Sequence, residues 1–249
     1  MFYSPLFLIS LVFQVLLIVH CVRTGRNTIW IWVLALLSLP GAIAYVAVEI
    51  IPDLFRSRTA GRAMRGVRRT LDPGRNLRQY EAAAQRSGDV ASRQRYAEEL
   101  LRQGHAPQAI EVYRQALTGL YQHDPNLMLG LAQAQFASQA PAAARATLDQ
   151  LIERNPQFKS ADGHLLYARA LEAEGDTTRA LEEYAVVAGY YAGAEAAVRH
   201  AQLLIRVGRQ PEGRQVLDGL LEHARLAPRH YQRAQEQWLS EARRARTSI

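Results

Sequence analysis

Few residues of this chain have types and spacings that support catalysis or metal binding. The seven histidines are scattered, with no pair at positions i and i+4 and no cysteine partner, so a zinc site is not expected. Neighbouring carboxylates such as Glu182 and Glu183 would point apart on a helix, which is typical of a solvated face. No glycine-rich phosphate loop or nucleophile elbow occurs. The sequence therefore predicts no enzyme, no cofactor and no small-molecule substrate.

One group of charged residues does have a regular spacing. Four arginines recur at intervals of four, three and four, namely Arg58, Arg62, Arg65 and Arg69. On a helix they would share one face, although Gly61 and Gly66 would each cost that helix about 1 kcal/mol. Such a helix needs a surface on which to form, and anionic lipid headgroups provide one at about 1 kcal/mol per basic residue. A solvated arginine-rich flank is the alternative.

The net charge is concentrated in the same part of the chain. Residues 1–52 carry a net charge of +1, residues 53–78 carry +6, and residues 79–249 are neutral. Binding of nucleic acid by the C-terminal part is therefore not expected. Cys21 is the single cysteine, which excludes an intrachain disulfide.

The first 51 residues contain only three charged side chains, Arg23, Arg26 and Glu49. The apolar runs 3–22 and 28–51 each have the length of about 20 residues that crosses a bilayer. Only five residues separate them, so residues 1–52 are predicted to form a two-helix transmembrane hairpin. A cleaved signal peptide is disfavoured because no basic residue precedes the first run and no small-x-small site follows it. A lipoprotein anchor at Cys21 is disfavoured because His20 stands where that motif needs a small residue.

The distribution of basic residues predicts the orientation of the hairpin. Two arginines lie in its turn, whereas six follow the second span: Arg56, Arg58, Arg62, Arg65, Arg68 and Arg69. Basic flanks remain on the cytoplasmic side. We therefore expect a multi-pass protein of the cell inner membrane with both termini in the cytoplasm.

The second apolar run also has an ordered motif, in which Trp32 and an apolar stretch are followed by Pro40, Gly41 and Tyr45. In this respect residues 3–55 resemble the two-helix N-terminal segment of bacterial cardiolipin synthases, also called the phospholipase D-nuclease N-terminal domain. The His-x-Lys-x4-Asp motif of that family's catalytic half is absent. The resemblance implies a shared anchor without phosphatidyl transfer, and a non-catalytic accessory role in cardiolipin or phospholipid synthesis stays open.

Residues 93–222 contain a pattern of small and large apolar residues that returns four times. Its anchoring small residues are Ala97, Ala132, Ala168 and Ala201, at steps of 35, 36 and 33. A period in this range indicates a helical solenoid. Three copies have glycine near the middle, at Gly104, Gly175 and Gly208, where a left-handed residue suits the turn between two helices.

This pattern resembles the tetratricopeptide repeat (TPR), which has small residues at its eighth and twentieth positions and proline at its thirty-second. The fourth copy departs from it with Gly213, and only the second copy has the proline, Pro156. The resemblance implies an all-α fold in which residues 79–249 form about four helix pairs. A helical pattern between Asn76 and Arg86 would cap the first pair. A last helix starting at Pro228 would cover the final face with Tyr231, Ala234, Trp238 and Ala242.

The resemblance also implies a partner-binding groove lined by the first helix of each pair. The corresponding candidates are Leu129, Phe136, Leu165, Arg169, Val198, Gln202, Ile205 and Arg206. They lack the Lys/Asn/Arg set that clamps a peptide carboxylate in chaperone-binding relatives. An apolar groove suited to a helix or an extended apolar segment is therefore expected. In the alternative interpretation, part of this stripe is intramolecular core.

Together these features predict a membrane-anchored TPR scaffold. It would bind an unidentified protein partner at the cytoplasmic face of the bacterial inner membrane, with anionic lipids as a second contact. The rival prediction is a periplasmic-facing factor, similar to the cytochrome c maturation and haem-biosynthesis proteins that join membrane helices to TPRs.

Overall fold

A computed structural model describes residues 15, 17–19, 21–23, 29–46, 48 and 74–249. The chain divides into two compact units, Met1–Arg75 and Asn76–Ile249. Most of the predicted span 3–22, both ends of the predicted span 28–51, and residues 53–73 with their regularly spaced arginines lie outside the described residues.

The first unit contains helix α1, Ile29–Tyr45, which includes Pro40. Leu17, Cys21, Leu34 and Tyr45 are buried in one apolar cluster. Among the described residues, no helix combines the length and the apolar composition needed to cross a membrane.

The second unit, in its described residues, consists of helices and the turns that connect them, without strands. Its helices are α2 (Arg75–Ser87, which begins at the unit boundary), α3 (Val90–Arg102), α4 (Ala106–Ala116), α5 (Pro125–Ala137), α6 (Pro141–Arg154), α7 (Ala161–Glu174), α8 (Thr177–Ala188), α9 (Glu195–Arg206), α10 (Gln210–Leu226), α11 (Arg229–Ala234) and α12 (Glu236–Thr247). Four antiparallel pairs, α3/α4, α5/α6, α7/α8 and α9/α10, stack in chain order, so that each helix packs on the next. This arrangement confirms the predicted all-α solenoid.

Local sequence signals explain where the first helices of the first two pairs begin. Asp89 accepts a hydrogen bond from Ser92 N at 2.7 Å, and Asp124 accepts bonds from Asn126 N and Leu127 N, each at 3.0 Å. Such side-chain acceptors satisfy backbone N–H groups that have no partner inside the helix. Acidic caps therefore fix the start of α3 and of α5.

The turn inside each pair is left-handed. Gly104, Gly175 and Gly208 have φ angles of 84°, 86° and 85°, which confirms the role predicted for them. In the second pair Gln139 takes the same place with a φ of 61°. A residue with a side chain enters this region at a cost of roughly 1–2 kcal/mol, so this turn is held by the packing around it.

Small residues mark the closest approaches between helices. The four predicted anchors, Ala97, Ala132, Ala168 and Ala201, are fully buried. At the second small position Gly213 replaces alanine, and a Cβ there would lie 2.7 Å from Ile205 Cγ1 and 3.0 Å from Ala201 O. Helix α10 thus approaches α9 more closely than alanine permits, which explains this departure from the repeat pattern.

The C-terminal cap differs in part from the expected single helix. The chain breaks at Gln235, so α11 and α12 are separate helices. Trp238 and Ala242 pack on the cluster around Leu217, whereas Ala234 is exposed. Leu239, which the repeat pattern did not single out, is 1% exposed.

Gln235 also has a capping role for another helix. Helix α9 begins after Ala194, which has no side chain that could accept a hydrogen bond. Instead, Ala194 N donates to Gln235 Oε1 at 2.9 Å. The break between α11 and α12 therefore places a side-chain acceptor at the start of α9.

Candidate functional site

The structure divides the predicted groove residues between core and surface. Leu165 and Val198 are 3% and 0% exposed, so this part of the stripe is intramolecular core. Leu129 and Phe136 are half-buried at the edge of the central core cluster. Ile205 packs against the cluster that contains Ala242 of α12. The three polar candidates remain accessible: Arg169 and Gln202 are half-buried, and Arg206 is exposed.

Arg169, on the first helix of the third pair, is an accessible groove candidate with contacts to both neighbouring pairs. Its guanidinium carbon is 4.8 Å from the ring centroid of Phe136, a cation–π arrangement between α7 and α5. Its Nη1 lies 3.6 Å from Glu195 Oε1 on α9. Burial, and then the nearby Arg199, lower the pKa of the Arg169 guanidinium. The Nε of Arg169 is buried and has no acceptor among the described residues.

A second carboxylate on this surface is shared between two helices. Glu172 Oε2 accepts a hydrogen bond of 2.6 Å from the hydroxyl of Tyr184, and its Oε1 forms an ion pair with Arg206. Burial, and then the hydrogen bond to Glu172, raise the pKa of Tyr184. Glu172 therefore holds Arg206 beside the core of the third pair.

A third arginine, Arg199, belongs to the same polar surface, although it was not among the groove residues predicted from the sequence. Its Nε donates to Glu195 Oε1 at 2.7 Å, and its guanidinium carbon lies 5.1 Å from the ring of Trp238. The interaction with Trp238 depends on the capping helix α12, which the repeat pattern alone does not position. We call Arg169, Arg199 and Arg206 the arginine cluster.

A second concave feature was not predicted. A cavity of about 880 Å³ lies between the second and third pairs, and we call it the inter-repeat cavity. Its apolar lining includes Leu129, Leu148, Leu151, Ile152, Phe158 and Tyr167. The connection that carries Phe158, residues 155–160, is as long as residues 189–194 between the third and fourth pairs, so the spacing of the repeats carried no signal for this cavity.

The polar groups of the inter-repeat cavity are mostly engaged by neighbours. His164 Nε2 lies 2.5 Å from Glu183 Oε2, and its Nδ1 contacts the hydroxyl of Tyr190. Asp149 is paired with Arg145 Nη1 at 2.9 Å. Across the described parts of the chain, no group of three or more His, Cys, Asp and Glu side chains is placed to hold a metal ion.

Comparison with known proteins gives matches to the repeat region. Residues 100–170 match the family model of the tetratricopeptide repeat. No match was found among curated proteins.

Several solved structures have a similar fold. The thermophilic TPR protein TTC0263 of Thermus thermophilus is 18% identical, with a TM-score of 0.53 over 68% of this chain and 88% of that chain. The pilF protein of Pseudomonas aeruginosa is 18% identical, with a TM-score of 0.51 over 92% of this chain and 97% of that chain. A crystal structure of MamA is 19% identical, with a TM-score of 0.50 over 59% of this chain and 79% of that chain.

At these identities the solved structures establish the fold and not the partner. The family match covers the second pair and parts of its neighbours, and the stacked pairs on either side repeat its geometry. Residues 100–170 are therefore similar to the tetratricopeptide repeat, and the helix pairs of residues 90–226 have the solenoid fold of these solved structures.

Proposed function

We propose that the array is a protein-interaction scaffold that binds a partner segment on the surface around the arginine cluster, with an acidic group of the partner at Arg169. Phe136 and the half-buried Leu129 provide apolar contact beside this group. The partner would thus combine an apolar segment with a nearby carboxylate.

The buried, unsatisfied Nε of Arg169 is the observation that carries this proposal. Three guanidiniums of the arginine cluster share two carboxylates, Glu172 and Glu195. The 3.6 Å separation between Arg169 and Glu195 is longer than a hydrogen bond. At this distance Glu195 compensates the charge of Arg169 only in part, and the Arg169 side chain is 31% exposed, so a partner carboxylate could reach its guanidinium. A charge-assisted hydrogen bond from the guanidinium to that carboxylate would offset the cost of burying this cation.

Substitution of Arg169 by glutamine tests this assignment. Peptides selected from a displayed random library by the full-length chain should be enriched in Asp or Glu beside an apolar residue. Arg169→Gln should weaken their binding about tenfold, since hydrogen bonds to charged groups contribute on the order of 1.5–3 kcal/mol. Binding is measured by fluorescence anisotropy of labelled peptides.

The matched control is Arg225→Gln, which removes an arginine that is 73% exposed and pairs with Glu222 on α10. It should leave peptide binding unchanged. Selected peptides without acidic enrichment, or equal loss in both variants, would contradict the role given to Arg169.

We also propose that the N-terminal segment holds the array at the cytoplasmic face of a bacterial inner membrane. The support is the composition of the first 51 residues, with three charged side chains, and the excess of arginines that follows them. Arg58, Arg62, Arg65 and Arg69 would then contact anionic lipids. Tethering raises the local concentration of the binding surface and strengthens weak contacts with membrane-bound partners.

Topology reporters test this placement. A reporter fused after Ile249 should be active only in its cytoplasmic form, and one inserted at Asn27 only in its periplasmic form. Replacing the four regularly spaced arginines with glutamine should weaken this bias, because basic flanks determine orientation. A periplasmic signal at the C terminus would replace the cytoplasmic scaffold with the envelope-assembly factor as the working hypothesis.

A further inference from the structure

The inter-repeat cavity combines an apolar interior with one cation that forms no ion pair within the described repeat array. Lys159 lines this cavity, and no carboxylate among residues 74–249 forms an ion pair with it. It is also the only lysine among the 30 basic residues of the chain. The carboxylates of the cavity, Asp149 and Glu183, are engaged by Arg145 and His164. The cavity therefore presents a positive charge beside apolar walls.

The size and lining of the cavity suit a small molecule. Its volume of about 880 Å³ falls in the range of roughly 300–1,000 Å³ that small-molecule sites occupy. Three lining side chains are almost fully buried and form an apolar wall that is present before a ligand binds: Leu148, Leu151 and Tyr167. Ile152 and Tyr190 are 56% and 54% exposed, which places apolar groups where a ligand would enter.

The first turn of α7 also borders the cavity, and its Gly163 N–H is bonded to Ser160 Oγ at 3.0 Å. Ala161, its first residue, lines the cavity. The N-terminal end of a helix carries partial positive charge. The acidic residue of this turn, Asp162, does not line the cavity and accepts a hydrogen bond from the Tyr191 hydroxyl.

We propose that the inter-repeat cavity binds a small amphiphilic carboxylate, whose apolar chain fills the cavity and whose carboxylate pairs with Lys159. The charged group of this site, Lys159, does not belong to the arginine cluster, although Leu129 borders both surfaces. Arg169→Gln should therefore leave the binding of such a ligand unchanged, so the failure of one proposal does not entail the failure of the other.

Octanoate is a suitable probe, with octyltrimethylammonium as a cation of the same chain length that has no amine to acylate. The full-length chain is held in phosphatidylcholine nanodiscs, so that no detergent competes for the cavity, and empty nanodiscs give the baseline. Amine-selective acylation is followed by mass spectrometry of the peptide that contains Lys159, because apart from the α-amino group Lys159 is the only amine of this chain. Octanoate at about ten times its Kd should slow acylation of Lys159 about tenfold by mass action. Octyltrimethylammonium should give little protection.

Variants measured by calorimetric titration complete the test. Because Lys159 is exposed, Lys159→Gln should weaken octanoate binding about twofold to fivefold, and Lys159→Arg should restore most of it. Ile152→Trp should obstruct the cavity and reduce binding. Val186→Trp alters a residue that is 59% exposed and does not line the cavity, so it should have no effect. Both tryptophans replace exposed residues, and unchanged circular dichroism melts would show that the fold is retained.

Three results would overturn the proposal. Equal protection by octanoate and octyltrimethylammonium would show an apolar patch without charge selection. Unchanged octanoate affinity of Lys159→Gln would remove the lysine from the site. Protection of Lys159 by selected peptides but not by octanoate would make the cavity a peptide site.

Discussion

Replacing Gly130 by alanine is expected to lower the free energy of unfolding by about 2 kcal/mol or more, because the new methyl group overpacks the core. Gly130 lies in α5 against the ring of Tyr113 from α4, and a Cβ would lie 2.4 Å from Tyr113 Cζ and 2.6 Å from its Oη. Tyr113 is 1% exposed, so its ring cannot move without disturbing its neighbours. This cost exceeds the gain of about 1 kcal/mol that alanine normally gives in a helix.

Urea unfolding of the full-length chain, followed by helical circular dichroism, measures this effect. The control is Gly219→Ala in α10, where a Cβ would meet no atom within 4 Å. That variant should be more stable than the wild type by about 0.5–1 kcal/mol. In a Tyr113→Leu background Gly130→Ala should cost much less, because the opposing ring is gone. Equal effects of the two glycine substitutions would contradict the packing described here.

Replacing Leu239 by alanine is expected to destabilise the C-terminal part of the array by about 3 kcal/mol, a typical cost for a buried leucine. Leu239 joins α12 to Ala194 and Ala224 in one buried cluster. Without its side chain the cap would leave a cavity over the fourth pair. Repeat arrays depend on such terminal elements, because an uncovered end exposes core.

Leu226→Ala is the matched control, since Leu226 is 75% exposed at the end of α10. A surface substitution of this kind usually changes stability by less than about 0.5 kcal/mol. Thermal unfolding and limited proteolysis at α11 and α12 report on both variants. Similar melting curves for the two leucine substitutions would show that α12 does not act as a cap.

The repeat positions could be predicted from sequence because they follow from helix contact distances. Ala97, Ala132, Ala168 and Ala201 are small because each lies where two helices meet, and their spacing is visible without coordinates. Gly213 was recognised as a departure, but its reason depends on how closely Ile205 approaches. That distance is a tertiary property.

The candidate binding surfaces were harder to predict for the same reason. Position in a repeat does not distinguish Val198, which packs beneath the C-terminal cap, from Arg169, which remains accessible. Arg199 was missed because its place depends on Trp238 of the cap. The inter-repeat cavity arises where the connection of residues 155–160, with Phe158 and Lys159, meets two helix pairs. The repeat period predicts the features that all four helix pairs share, whereas these surfaces depend on residues that differ from pair to pair.

The hydrogen bond from Ala194 N to Gln235 Oε1 joins the start of α9 to the break between α11 and α12. Opening of the C-terminal cap and fraying of the first turn of α9 should therefore occur together. When the cap loosens, the first turn of α9 loses its acceptor, so both should open as one foldon in hydrogen exchange. That turn carries Glu195, which holds Arg169 and Arg199. A ligand at the proposed site around the arginine cluster would therefore bind best to molecules whose C-terminal helix is ordered. Through this linkage, occupancy of the proposed surface and order of the C-terminal helix would be thermodynamically coupled.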